Sequence, residues 1–346
     1  MHSSKNDKSL RVPSAIDHHM RVFVLGASGT IGRATVRALL RRGHEVVCFQ
    51  RQSAGVRGHL ADPEGALLLR RAVIRVGSVT DPMSLARDGF CGERFDALVS
   101  CMASRTGAPD DAWKIDHLAH VHALDAAKTA GVTHMVLLSA ICVQKPLLAF
   151  QQAKLAFEKV LIESGLDYSI VRPTAFFKSL SGQVERIKSG KPFLVFGSGE
   201  LTACKPISDD DLGDYLAACL DDESRRNRIL PIGGPEPAIT PRQQGENLYA
   251  LLGQPPRFRQ VPVRMLDVII SLLDFVSCLL PAVKAKAELA RIGRYYATES
   301  MLVLDPVTGR YNANATPSTG TQTLFDHYAD LLAGKSVSER GDHAVF

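Results

Sequence analysis

The stretch RVFVLGASGTIGRATVRALLRRG, Arg21–Gly43, constrains the fold more than any other part of the chain. A short β-branched run, Arg21–Leu25, leads into GASGTIG at Gly26–Gly32, and a helical pattern then runs to a terminating Gly43. Strand, glycine turn and helix in that order open a dinucleotide-binding unit. Gly26 permits the tight turn, Gly29 lets backbone N–H groups approach a pyrophosphate, and Gly32 lets the helix pack closely on the sheet. The helix N-terminus supplies positive potential for the phosphates, so Ser28, Thr30 and Ile31 join the glycines as cofactor-binding positions. A glycine turn with no ligand is the competing reading, and the surrounding pattern weighs against it.

The next strand, HEVVCFQR at His44–Arg51, decides which dinucleotide. A site for NAD places Asp or Glu at its end to hold the ribose 2′-hydroxyl, whereas here Gln50, Arg51 and Gln52 follow one another. The planar fork of Arg51 suits a 2′-phosphate, which points to NADPH. A solvated surface arginine is the bland alternative.

Alternation continues with a strand at Ala72–Val76, then GSVTDPMSLA with Asp81 as helix cap and Pro82 in the first turn. Further strands are expected at Phe95–Ser104, at His134–Ala140 with Ser139 at its end, and at Asp167–Phe177. A helix near Asp111–Ala130 and another carrying Lys154 separate them. This is the pattern of an α/β fold, a Rossmann-type doubly wound parallel sheet with right-handed crossovers. Ligands in such sheets sit beyond the carboxyl ends of the strands. Gly26, Arg51, Ser78, Cys101, Ser139 and Pro173 should therefore converge, with Val79, Met102 and Thr174 beside them.

With 346 residues, 45% hydrophobic and 22% charged, the chain can bury a large core. The expected division is a disordered tail at 1–19, an NADP-binding domain at 20–177, a smaller C-terminal substrate lobe at 178–334 interleaved with the last sheet elements at 206–235, and a tail at 335–346. The net charge of +5 comes from 41 basic and 36 acidic residues with no long basic run, too diffuse for nucleic-acid binding but suited to an anionic cofactor. Seven scattered cysteines without C-x-x-C spacing read as reduced thiols in the cytoplasm, with neither disulfides nor a zinc site. His117, His120 and His122 lack accompanying ligands, so no metal is expected and they read as surface helix histidines. Met265–Val283 is apolar but interrupted by Asp267 and Asp274, which favours a buried or surface-lying helix over a membrane span and leaves room for peripheral membrane contact.

Several blocks resemble the atypical, extended short-chain dehydrogenases/reductases of the NmrA-like group: GASGTIG, LLSA, the Lys154 helix, YSIVRPT, PISDDDLGDYLAACL and PIGGPEPAIT. Lys145–Glu158, Ser169–Ser208 and Tyr295–Tyr328 resemble, within that group, the branch that reduces the 8-vinyl group of chlorophyll precursors with NADPH. The resemblance spans nearly all of residues 21–334. It implies a tetrapyrrole substrate, divinyl chlorophyllide or protochlorophyllide, and a role in chlorophyll or bacteriochlorophyll synthesis. The short N-terminal tail, with no long transit segment, suggests a bacterial source and a cytoplasmic enzyme peripheral to the photosynthetic membrane.

In LLAFQQAKLAFEKVL, residues 147–161, Lys154 follows a large aromatic by one turn. The resemblance places Lys154 at the nicotinamide ribose, and in the commoner reductases the aromatic is a tyrosine that exchanges a proton with a substrate oxygen. Here it is Phe150. A vinyl group has no such oxygen, so hydride can add to one carbon while water or a nearby acid protonates the other. Lys154 is a candidate for that acid, Ser139 is a candidate active-site hydroxyl or an ordinary strand-end cap, and Phe150, Phe176 and Phe177 are candidate walls for a flat macrocycle. The apolar helix after residue 254 is expected to cover that macrocycle. A catalytically silent NADP-binding regulator and a pigment-complex assembly factor are the competing functional readings.

Overall fold

The computed structural model describes residues 19–52, 67, 69–277 and 283–335. The tails expected at 1–19 and 335–346, apart from His19 and Lys335, and the 278–282 part of the apolar helix lie outside the described residues.

Seven strands form one sheet: β1 (Arg21–Leu25), β2 (Glu45–Gln50), β3 (Val73–Val76), β4 (Ala97–Ser100), β5 (His134–Leu138), β6 (Asp167–Pro173) and, after the short β7 (Phe193–Phe196), β8 (Arg228–Ile232). Their order is β3-β2-β1-β4-β5-β6-β8, and every pairing is parallel. The order reverses between β1 and β4, so the crevice for a ligand opens there.

Both faces of the sheet are covered, because successive strand residues point to opposite sides. Val22 and Val24 of β1 pack under α1 (Thr30–Arg41), while Phe23 and Leu25 pack under α2 (Ala119–Thr129) and α3 (Ala149–Ile162). The first layer is completed by α4 (Asp209–Ala218), which returns from the second half of the chain. It crosses α1 closely: a Cβ on Gly213 would lie 2.6 Å from the carbonyl carbon of Ala34. Arg41–Asp214 and Arg42–Asp221 ion pairs, each at 3.0 Å, flank the crossing.

A smaller core gathers Phe177, Phe193, Tyr249 of α5 (Pro241–Leu251) and Tyr328 of α8 (Leu324–Leu332), with β7 parallel to β9 (Phe258–Val261). A helical hairpin follows, α6 (Val263–Ser277) and α7 (Lys284–Thr298), and α7 packs at Cys142 beyond β5, where the Tyr295 hydroxyl donates to the Cys142 carbonyl at 2.9 Å. The strands are shorter than expected, since β4 ends at Ser100, β5 at Leu138 and β6 at Pro173.

Candidate active site

The cofactor cradle follows from three glycines with three different constraints. Gly26 has φ +73°, and a Cβ there would lie 2.5 Å from the carbonyl carbon of Cys101 and 2.6 Å from the nitrogen of Met102. The first turn is thus pressed against the end of β4. A Cβ on Gly32 would lie 2.1 Å from the Gly26 carbonyl oxygen, which fixes the close approach of α1. Gly29 is exposed and meets nothing nearer than 3.6 Å. Gly29 also serves as the N-cap of α1, without a side-chain cap and with no acidic residue in the first turn. N–H groups at such a helix start fit a pyrophosphate, although the carboxyl of Asp209, its pKa raised by burial, reaches the Thr30 side chain from α4.

The other residues expected at the cofactor, Lys154 apart, lie at or just beyond the carboxyl ends of the parallel strands. Arg51 is exposed immediately after β2. The Ser78 nitrogen donates to Ser84 Oγ at 3.0 Å, which orders the turn after β3, and Val79 packs into the core. Burial raises the Cys101 thiol to about 11, so it stays protonated. Pro173 ends β6, and the Thr174 hydroxyl is tied back to the Lys205 carbonyl.

Lys154 on α3 is largely enclosed, and its Nζ lies 3.0 Å from Oδ1 of Asp116, whose side chain is fully buried. Asp116 sits in a π-helical segment, Trp113–Leu118, directly before α2. The same oxygen accepts from the Ser104 backbone at 3.2 Å, while Oδ2 has no hydrogen-bond partner among the described residues. One turn on, His120 Nδ1 lies 2.9 Å from the Ile115 carbonyl, so that nitrogen carries the proton. Nε2 then accepts from Ser100 Oγ at 2.8 Å. Burial, followed by the charge of Lys154, pushes the His120 pKa down to about 4 and keeps the ring neutral. Ser100 also accepts from the Met102 nitrogen at 3.4 Å, linking the chain under the cofactor turn to the π segment.

His120 is therefore no surface residue, contrary to the sequence reading. The π turn shifts the helix phase, so it faces the sheet. Asp116 was not singled out from sequence at all. A signal existed: the inward stripe Ala112, Ala119, Ala123, Ala127 is small and apolar, and Asp116 and His120 interrupt it. Among the described residues no three His, Cys, Asp or Glu groups gather where a metal could be held.

Ser139 lines the same narrow void as Asp116, His120, Lys154 and Phe157, but its hydroxyl donates to Glu158 Oε1 at 2.5 Å. Glu158 is itself gripped by Arg172. The Ser139 proton is committed to an internal carboxylate, so the structure favours its reading as a strand-end anchor over that of an active-site hydroxyl. Phe150 packs with Ile292, Tyr295 and Tyr296 of α7 around Cys142. Phe176 packs against the core between α1 and α4, and Phe177 is buried against His327 with ring centres 5.4 Å apart. Phe150 and Phe176 are both only partly buried, whereas Phe177 is engaged in a core, a placement that speaks against its role as a substrate wall. Of the hairpin, it is α7 that packs round Phe150.

A dinucleotide cradle at the switch point of a doubly wound sheet, with an enclosed lysine one turn beyond residue 150, defines a nicotinamide-dependent protein of the short-chain dehydrogenase/reductase type. The NAD(P)H-binding family model matches residues 26–223. The fold is shared with the NADPH-dependent quinone oxidoreductase QOR2 of Escherichia coli in complex with NADPH, at TM-score 0.62 and 16% identity over 90% of this chain and 99% of that one. In sequence, the chloroplastic divinyl chlorophyllide a 8-vinyl-reductase of Oryza sativa subsp. indica is 49% identical over 331 residues, 94% of this chain and 82% of that protein. The Cucumis sativus protein of the same name is 47% identical over 332 residues, 94% and 79% respectively. The chain belongs to the divinyl chlorophyllide a 8-vinyl-reductase family.

Proposed function

We propose that this protein reduces the 8-vinyl group of divinyl chlorophyllide a, or of the corresponding protochlorophyllide, to ethyl in chlorophyll or bacteriochlorophyll synthesis. The observation that carries the reading is an intact cofactor and lysine site in which residue 150 offers no hydroxyl, within a family named for reducing a carbon–carbon double bond. When bound, NADPH supplies two electrons and one hydrogen to the vinyl group, and the second hydrogen arrives as a proton.

The chain's residues bind, orient and exclude. The N–H groups of the Gly26–Gly32 turn hold the pyrophosphate, and Arg51 holds the 2′-phosphate. Lys154 presents its ammonium to the ribose hydroxyls from a position fixed by Asp116. The neutral His120 braces Ser100 and through it the Cys101–Met102 backbone on which the cofactor turn rests. Phe150, Ala140, Tyr296 and Met301 form an apolar wall that suits a conjugated macrocycle. Protonation of the second vinyl carbon draws on water or on an acid at the crevice mouth, since no phenol stands at position 150.

This reading places the enzyme on the cytoplasmic face of a photosynthetic membrane, in peripheral contact with it. No helix among the described residues is long and apolar enough to cross a membrane. Incubation of the purified protein with NADPH and a divinyl pigment tests the assignment. A blue shift of the Soret band with consumption of NADPH is expected. Cofactor binding without any shift would favour a silent NADP-binding protein. Arg51→Asp should move cofactor preference toward NADH by at least about tenfold in kcat/KM, as expected when a 2′-phosphate loses a local cation and meets a carboxylate.

A further inference from the structure

The α6–α7 hairpin wears its apolar residues on the outside. None of the fifteen residues of α6 is fully buried, although the helix is strongly apolar. Its two acids face α7, where Asp267 pairs with Arg294 and Asp274 with Arg291 at 2.5 Å. Glu288 of α7 joins Arg291 at 3.3 Å. The opposite side of α6 carries Met265, Val268, Ile269, Leu272 and Phe275, between 37% and 71% exposed. At the α-helical pitch these five fall within about a third of the circumference.

The charge left over is of one sign. All three acids of the hairpin have arginine partners, whereas Arg264, Lys284 and Lys286 are exposed and in no ion pair among the described residues. We infer that this face docks on an anionic lipid bilayer, with the stripe from Met265 to Phe275 in the interfacial layer and the three cations on lipid phosphates. An apolar face rimmed by unpaired cations is what such a surface attracts. A second copy of the chain is a poorer occupant, because a two-fold contact would set these cations against their own copies. The inner side of α7 packs round Phe150, so the docked hairpin would also be the wall between lipid and crevice. The inference deepens the membrane contact of the proposed function and rests on that reading for the pigment alone.

Flotation of the full-length protein with vesicles of phosphatidylcholine, with and without phosphatidylglycerol, tests it. Recovery with the anionic vesicles is expected, lost at high salt. The double variant Leu272→Asp/Phe275→Asp should lower binding at least tenfold, and Lys284→Glu/Lys286→Glu should lower it on anionic vesicles only. NADPH binding, followed by fluorescence, should be unchanged in both and shows that they fold. Absence of binding by the unaltered protein, or equal binding by the variants, overturns the proposal. So does a dimer in size-exclusion chromatography that Leu272→Asp/Phe275→Asp converts to monomer, because a second copy would then cover the stripe. Pigment reduction in detergent is read separately, so failure of the docking surface and failure of the enzymatic assignment are distinguishable.

Discussion

Lys154 and Asp116 are each tolerable inside the protein because of the other, since an enclosed ammonium and a fully buried carboxylate are both expensive alone. In a tyrosine-containing site the lysine's charge would draw down a phenol; with Phe150 there is none to draw down, and Asp116 is the countercharge instead. Lys154→Met should therefore lower unfolding free energy by about 3 kcal/mol in urea titrations, because it strands Asp116. Adding Asp116→Asn to that variant should restore most of the loss while leaving the KM for NADPH raised, which separates the folding role of the pair from the cofactor role of Lys154. Phe150→Tyr makes the complementary point. A vinyl carbon has no oxygen for the new phenol to serve, so pigment turnover, measured from the Soret shift, should change by less than about tenfold, well below the 10²–10⁴-fold that a positioned general acid contributes.

At the scale of elements, the glycine turn separates ligand space from packing space. Gly32→Ala drives a methyl group into the Gly26 carbonyl at 2.1 Å, so α1 must lift off the sheet, and both stability and NADPH binding should fall. Gly29 has φ −71°, which alanine accepts, and its nearest neighbour is 3.6 Å away. Gly29→Ala should leave the melting temperature within a few degrees of the parent and raise the KM for NADPH about tenfold or more, since only the pyrophosphate competes for that space. Such constraints were legible in the sequence because they are local: a β-branched run, a turn and an amphipathic helix each write their own period. The π segment Trp113–Leu118 was not legible, because one inserted residue in a helix leaves no compositional trace, and with it Asp116 and the inward turn of His120 were missed. The outward turn of the apolar side of α6 was hidden for a different reason. Its sequence shows an apolar stripe, but only the Arg291 and Arg294 contacts reveal that the polar side is the one turned inward.

At the scale of the whole molecule, the sheet is closed at both ends by buried, neutral histidines. His120 braces the carboxyl end of β4, and His134 at the start of β5 bonds Ser169 Oγ at 3.0 Å. Burial is the first cause of the depressed pKa in both, each pushed down to about 4. An unfolded chain protonates these rings near pH 6.5, so between about 6.5 and 4 the unfolded state binds more protons than the folded one. Stability is then full above the upper value, falls as pH is lowered through the window, and stops falling from this source below the lower one. Each histidine contributes a slope of at most about 1.4 kcal/mol per pH unit. Buried Asp209 and the half-buried Glu236 act the other way, because burial raises their carboxyl pKa values and favours the folded state as acid is added. The histidine effect can be isolated at His134, which lies at the end of the sheet opposite the cofactor crevice. Denaturation of His134→Gln, in which the amide can keep the Ser169 contact, should show a flatter decline between pH 6.5 and 4 than the parent with NADPH affinity at pH 7 unchanged. Parallel stability curves for the two proteins would mean that His134 does not carry this acid sensitivity.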